Sequence, residues 1–290
     1  MKRCLSCEKT FEAAGWQCPH CGARPPQKDG IELFAPALAA QNDLYNPADY
    51  DALYAVEAGN FWFRARNALI VKFIRKYFPG SANFMEVGCG TGFVLAGLSR
   101  AFPALKLTGT EIFSEGLSFA AARMPANTEL YQMDGRKIPF RAEFDLIGAF
   151  DCLEHIDEDE AVLAEINLAL KPGGGVIFTV PQHPFMWSTE DDTAHHKRRY
   201  TRTELQEKMK RAGFDIVATT SFVTLLFPFM MVERLLAKRR KKQENLSAGL
   251  RLPKFINSAF ACISSLEVFL LGLGLRFPFG GSRLVLGRKK

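Results

Sequence analysis

The chain lacks the marks of export. Met1-Lys2-Arg3-Cys4 is not followed by an apolar h-region, so no secretory signal is expected. Without an oxidising destination, the seven cysteines read as reduced cytosolic thiols and not as a disulfide framework. Internal repeats and low-complexity tracts are missing too, which excludes solenoid arrays and compositionally biased linkers. There is no clean membrane-spanning run. Residues 222–231 and 255–279 are strongly apolar, but Glu233-Arg234 closes off the first, and Glu267 with helix-weakening glycines interrupts the second. A full span is therefore not expected. Charge is modest: 23% charged against 48% apolar residues permits a packed core and excludes global disorder. Much of the net charge of +6 sits in Lys238-Arg239-Arg240-Lys241-Lys242 and Arg288-Lys289-Lys290. Such local clusters do not make a general nucleic-acid surface, and no nucleic-acid partner is expected.

What is present divides into four parts. Residues 1–22 form a cysteine-rich module. Residues 23–30, with Pro25-Pro26, read as a linker, because tandem prolines favour extended backbone. Residues 31–221 carry alternating helix and strand signals. Residues 222–290 are unusually apolar and end in a strand-like run. In the third part, helices are expected from Ala65 to Tyr77, Phe93 to Ala101, Ser114 to Arg123, Glu158 to Leu170 and Thr203 to Ala212. Apolar, unalternating strands are expected at 83–87, 105–110, 144–150, 176–180 and 214–219, with a further strand at 129–132. This pattern implies an α/β fold with a parallel sheet covered on both faces. Such sheets bind ligands at the carboxyl ends of their strands.

Glu86-Val87-Gly88-Cys89-Gly90-Thr91-Gly92 joins a strand to a helix. Glycines permit a tight turn and close approach of a ligand, and the helix start offers free N–H groups. Glu111, about twenty residues on, ends the second strand, where an acid hydrogen-bonds ribose hydroxyls in nucleotide-binding sheets. Asp134, in Met133-Asp134-Gly135, follows the third strand and suits an adenine amino group or a simple Asp-Gly turn. NAD is the rival ligand for this layout. Glu86 before the first glycine and the second acid at Asp134 speak against it.

With these residues, and with Phe144-Asp145-Leu146-Ile147 and Leu170-Lys171-Pro172-Gly173-Gly174, the chain resembles class I S-adenosylmethionine-dependent methyltransferases over roughly residues 61–221. The resemblance implies a Rossmann-like, doubly wound sheet of seven strands, the last antiparallel. It implies that Glu86 lies near the methionine amino group, that Glu111 with Ile112 meets the ribose, and that Asp134-Gly135 lines the adenine. Gly88, Cys89, Gly90 and Gly92 would cradle the cofactor, Phe150 and Asp151 would flank its methionine end, and Arg66 would meet the methionine carboxylate. Glu111 departs from the family's commoner Asp.

Methyl transfer needs orientation, and for a hydroxyl or amine nucleophile sometimes a base. His155 and His183 follow expected strands, and His195-His196 lies in a polar segment from Trp187 to Tyr200, so these four are the candidate bases. The expected acceptor is small or lipid-linked, with oxygen or nitrogen as nucleophile. The alternatives are a non-catalytic binding or regulatory protein that keeps the cofactor fold and is recruited through its cysteine-rich module, and an NAD-dependent oxidoreductase.

Cys4-x2-Cys7 and Cys18-x2-Cys21 form two knuckles suited to tetrahedral zinc. So short a module needs metal to fold. A redox dithiol or an iron–sulfur cluster is the alternative, and His20 is a rival ligand. Cys89, Cys152 and Cys262 have no such partners and are expected to be buried. The apolar end reads either as a helical insertion before a final strand at 283–287 or as a monotopic surface on anionic lipid. The expected location is the cytoplasm, with peripheral contact at the inner membrane face under the second reading. Nothing in the sequence sets an oligomeric state.

Overall fold

The computed structural model describes residues 1–41, 47–237 and 252–290, and the basic run from Lys238 to Lys242 lies outside them. Strands β1 (Lys2–Arg3) and β2 (Thr10–Phe11) pair antiparallel. Strands β3 (Gln27–Lys28) and β4 (Ile31–Leu33) form a hairpin. Its two turn residues, Asp29 and Gly30, both have positive φ, at 51° and 81°. A two-residue hairpin turn of matching twist requires this, and Asp-Gly supplies it. The segment expected to be a linker is therefore partly strand.

Helices α1 (Pro36–Gln41) and α2 (Pro47–Glu57) follow. Helix α3 (Phe61–Tyr77) starts one turn earlier than expected. Asn60 caps it by accepting a hydrogen bond from the Trp62 N–H at 2.8 Å, so Phe61-Trp62-Phe63 lies in its first turn. The order then runs β5 (Asn83–Val87), α4 (Phe93–Ala101), β6 (Lys106–Glu111), α5 (Ser114–Arg123), β7 (Glu129–Gln132), β8 (Phe144–Phe150), α6 (Asp159–Ala169), β9 (Leu170–Pro181), α7 (Thr189–Thr193), α8 (Arg202–Arg211), β10 (Phe214–Phe222), α9 (Phe227–Ala237), α10 (Lys254–Gly272) and β11 (Ser282–Lys289). Strand β9 begins at Leu170, where a helix end was expected. Between the pairs Phe144↔Leu170 and Leu146↔Gly175 its register slips, and Gly173 adopts φ 71° there. This is a bulge of the kind glycine permits.

Among the described residues the main sheet has nine strands in the order β10-β11-β9-β8-β5-β6-β7-β4-β3. Seven of them form the expected doubly wound sheet. The final strand, β11, runs antiparallel to both β9 and β10, while β4, β7, β6, β5, β8 and β9 are parallel. The β3–β4 hairpin adds two strands at the far edge. Strand order reverses between β5 and β8, so a crevice opens at their carboxyl ends.

Adjacent residues of β5 point to opposite faces, and each face has its own core. Met85 and Val87 pack with Ile147, Leu163 and Phe178 on one side. Phe84 packs with Leu69, Phe73, Leu95 and Leu117 on the other. The cysteine module belongs to the first core, with Cys4, Phe11, Trp16 and Cys18 buried in it. Trp16 meets Phe34, Phe140 and Tyr131 edge-on at 4.6, 5.3 and 5.5 Å between ring centroids. Arg3 pairs with Glu165 on α6 at 3.1 Å. The module is thus built onto the edge of the sheet.

Helices α9 and α10 lie between β10 and β11, as an insertion should. Helix α10 packs on α3. The buried Glu267 carboxylate accepts hydrogen bonds from the N–H groups of Thr224 and Leu225, both at 2.8 Å. Asn257 accepts from the Phe61 N–H at 2.9 Å and donates to the Gly59 carbonyl at 3.0 Å. By length and composition alone α10 is apolar enough to cross a membrane, in spite of Glu267. Phe255, Leu266 and Phe269 on it and Leu273 just after it are exposed, as are Phe229 and Val232 on α9. Cys262, expected to be buried, is exposed on α10.

Candidate active site

The glycine loop connects β5 to α4 at the reversal point. Gly88, Gly90 and Gly92 have φ values of 71°, 50° and 74°, a region side chains rarely adopt. A Cβ on Gly88 would also lie 2.4 Å from the Cys152 sulfur, and one on Gly92 3.0 Å from Ala120. Chemistry and space both demand glycine at these two places.

The Glu111 carboxylate, at the end of β6, accepts hydrogen bonds from the N–H groups of Gly90 (2.9 Å), Ile112 (2.8 Å) and Phe113 (3.3 Å). It ties the glycine loop to the next strand. Burial pushes its carboxyl up, against those three donors. Glu86 is buried inside the strand end, and no hydrogen-bond partner meets its Oε2. Burial raises its carboxyl well above the usual range, Arg66 opposes that, and the Glu111 charge adds to it. A buried carboxylate with one oxygen unpartnered is costly, and a cationic ligand would offset the cost.

Arg66, in α3, pairs with Asp151 at 2.5 Å and stacks over Trp62 at 4.6 Å from the ring centroid. Thr179 of β9 donates to the same Asp151 oxygen at 2.9 Å. Asp134 closes a local turn by accepting from the backbone N–H of Arg136 at 2.9 Å and from its guanidinium at 3.0 Å. It also lines the crevice.

The crevice is one cavity of about 1080 Å³, at the large end for small-molecule sites. Arg66, Glu86, Gly88, Cys89, Gly90, Glu111, Ile112, Asp134, Gly135, Phe150 and Asp151 line it. Gly92 is not in its wall and serves the turn into α4. His155, His195 and His196 also line it, but His183 does not. Phe185, Phe227 and Phe279 surround the His183 ring at 5.1, 5.8 and 4.4 Å, and no partner meets its Nε2. Strand β9 carries His183 past the crevice into an aromatic cage, so it is not positioned as a base toward this cavity.

The far half of the cavity is organised by Asp191, which nothing in its sequence context distinguished from its acidic neighbours. Its fully buried carboxylate meets Arg199 at 2.7 Å, Arg234 of α9 at 2.9 Å and the His196 Nδ1 at 2.9 Å. It also accepts from the Ser188 N–H at 2.9 Å, in a capping box that starts α7. Burial works against the charge, but the hydrogen bond to His196 and the two guanidiniums outweigh it and hold the carboxyl at about 2. His155 faces His196 with ring centroids 4.8 Å apart. Burial, aided by the neighbouring histidines, lowers its imidazole to about 3, which makes it neutral at ordinary pH. Glu190, on the wall, is pushed up to about 6 by burial, against Arg234.

Glu57 is a second residue that periodicity missed. It ends α2 and is buried. Thr91 of the glycine loop donates to it at 2.8 Å, and Arg123 of α5 pairs with it. Its helix is held against α5 across the chain, a contact no local pattern announces.

Cys4, Cys7, Cys18 and Cys21 converge. Their sulfurs all lie within 4.8 Å of one another, with Cys4–Cys21 at 3.6 Å and Cys7–Cys18 at 3.7 Å. Four thiolates around a tetrahedral zinc at about 2.3 Å stand about 3.8 Å apart, so the donor set fits that ion. His20 is not part of the cluster.

Residues 61–219 match a methyltransferase domain family. A ubiquinone/menaquinone biosynthesis C-methyltransferase of Desulfotalea psychrophila is 31% identical over 147 residues, covering 50% of this chain and 55% of that protein. A ubiquinone biosynthesis O-methyltransferase of Nitrosococcus oceani is 31% identical over 121 residues, covering 39% and 50%. The chain thus spans about half the length of these curated relatives. A solved Haemonchus contortus phosphoethanolamine N-methyltransferase 2, in complex with S-adenosyl-L-methionine, shares the fold with a TM-score of 0.58 at 16% identity, covering 89% of this chain and 60% of that one. With the family match running over more than half of its length, from the first turn of α3 into β10, the chain belongs to the methyltransferase domain family.

Proposed function

We propose that the protein transfers a methyl group from S-adenosylmethionine to an oxygen or nitrogen of a small or lipid-linked acceptor. The observation that carries this reading is the single cavity. One half holds the glycine loop with Glu86, Glu111 and Asp134, and the other holds a separate polar cluster around Asp191. Its size suits two ligands end to end. Acids around the loop favour a donor that carries a sulfonium and an ammonium group. Burial of Glu86 beside the methionine end, and the family membership, favour that donor over NAD.

In this reading Gly88, Cys89 and Gly90 cradle the donor, Glu111 and Ile112 take the ribose, and Asp134-Gly135 the adenine. Arg66, Asp151 and Phe150 flank the methionine end. The cofactor carries the reactive methyl, and the chain orients it and excludes water. His155, His195 and His196 stand on the acceptor side. The four cysteines hold a structural zinc. That ion would brace the sheet edge next to β7, which favours a structural role over recruitment of a partner.

A lipid-linked acceptor is supported by the cavity's apolar rim. Phe229 lines the cavity and is exposed at the same time, and Phe260 packs 6.0 Å from it. The exposed apolar residues of α9 and α10 would rest on the inner face of a membrane, with Lys238 to Lys242 in the connecting segment drawn to anionic lipid. We assign the protein to the cytoplasm with this peripheral contact. Incubation with isotope-labelled donor and fractionated extract tests the activity. A labelled product from the lipid or small-molecule fraction is expected, and donor binding without any labelled product would favour a non-catalytic binding protein.

A further inference from the structure

Glu154 is fully buried directly after β8, and neither of its carboxylate oxygens meets a hydrogen-bond donor of another residue. Next to it stand His155 and, from the loop after α7, His196. One donor atom from each of the three lies within 4.8 Å of the others. A buried carboxylate without donors is stable only with a proton or a cation beside it. Two imidazoles supply two further ligands to a cation.

We propose that Glu154, His155 and His196 bind one divalent transition-metal ion in the acceptor half of the cavity. Three features of the geometry argue for a metal. The donors are one carboxylate oxygen and two imidazole nitrogens, a set that suits zinc, iron, cobalt or manganese and not calcium. His196 already gives its Nδ1 to Asp191 at 2.9 Å, which fixes the ring and leaves Nε2 as the ligand. A carboxylate behind a ligating histidine is the usual way such rings are oriented. Asp191 is itself locked by Arg199 and Arg234. Tetrahedral bonds of about 2.0–2.1 Å need donors about 3.4 Å apart, so the three donors, now within 4.8 Å of one another, would close in on the ion. His155 and His196 line the cavity, so a three-ligand ion keeps an open position toward the acceptor. Resting on the methyltransferase reading, that position would take the acceptor's hydroxyl oxygen and lower its pKa, so that its proton passes to solvent at neutral pH and the oxyanion takes the methyl group as the carbon–sulfur bond breaks and S-adenosylhomocysteine leaves.

Metal content of the full-length chain tests the site. The protein is stripped with chelator, dialysed against zinc or cobalt, and analysed for bound metal. Glu154→Gln and His196→Gln should each hold one equivalent less than the unchanged chain. With cobalt, they should lose the bands of a nitrogen–oxygen site and keep the thiolate-to-metal band of the cysteines. Equal metal content and equal spectra in all three proteins would overturn the proposal. If His196→Gln fails to fold, the near-isosteric Glu154→Gln decides, with its fold checked by titration with S-adenosylhomocysteine. Metal uptake without donor binding would sink the functional reading and leave the site standing. Donor binding with no change in metal content does the reverse.

Discussion

Asp191→Asn tests whether the acceptor half is held by one buried charge. The substitution keeps the shape and removes the negative charge that His196, Arg199 and Arg234 share at 2.7–2.9 Å. Two guanidiniums then stay buried with reduced compensation. Breaking one partner of a buried pair costs about 3–5 kcal/mol. A second route gives a smaller figure. The Asp191 carboxyl sits at about 2, against an ordinary value of 3.8. Each tenfold change in proton affinity is worth about 1.4 kcal/mol, so the ionised form contributes about 2 kcal/mol. We therefore expect a loss of about 2–5 kcal/mol in urea unfolding at pH 7. Because the folded value is the lower one, this contribution is complete above about pH 4 and disappears as pH falls toward about 2. The gap between the two proteins should narrow over that window. Donor affinity, set on the other side of the cavity, should stay within about twofold. A loss below about 1 kcal/mol, or a gap that does not change between about pH 4 and 2, would show that Asp191 does not hold this half of the cavity.

Other perturbations reach other parts. Gly88→Ala places a Cβ against the Cys152 sulfur at positive φ, so donor binding measured by calorimetry should fall by about tenfold or more, and Cys152→Ala should restore part of it. Chelation of metal from the cysteine cluster should lower the melting temperature and loosen the Trp16–Tyr131–Phe140 packing, read as a shift in tryptophan fluorescence. Glu267→Ala removes the acceptor for two backbone N–H groups and should cost about 1–3 kcal/mol of stability, measured by denaturant titration. Phe255→Ser with Phe269→Ser should reduce flotation on anionic liposomes, and Lys238→Ser through Lys242→Ser should weaken it most at low salt. Unaltered flotation would contradict the peripheral contact.

How legible this was depends on where the determining contacts lie. Buried parallel strands announce themselves as apolar runs, so β5, β8 and the centre of β9 could be read directly. Gly88, Gly90, Glu111 and Asp134 were readable because a strand end, a turn and a strand end fall at fixed spacing. The β3–β4 hairpin was hidden by composition. Its strands are short and partly exposed, although Asp29-Gly30 was the available signal. Glu57 and Asp191 were not legible, since each works through partners far along the chain: Thr91 and Arg123 for one, Arg234 for the other. His183 misled for the opposite reason. Its position after a strand suggested the crevice, and the aromatic side chains of α9 and the segment before β11 take it elsewhere. The cysteine pairs were legible as a cluster, but the packing of Trp16 between them against Phe34 and Tyr131 was not, because packing between segments leaves no period.

The methyl-transfer reading of this fold rests on its binding a sulfonium donor. Calorimetric titration of the full-length chain with S-adenosylmethionine, S-adenosylhomocysteine and NAD measures that binding. One equivalent of each of the first two should bind, weakened by Glu111→Ala, while NAD gives no heat. Binding of NAD in preference to both, or no binding of either sulfur compound by the folded protein, would rule the donor out.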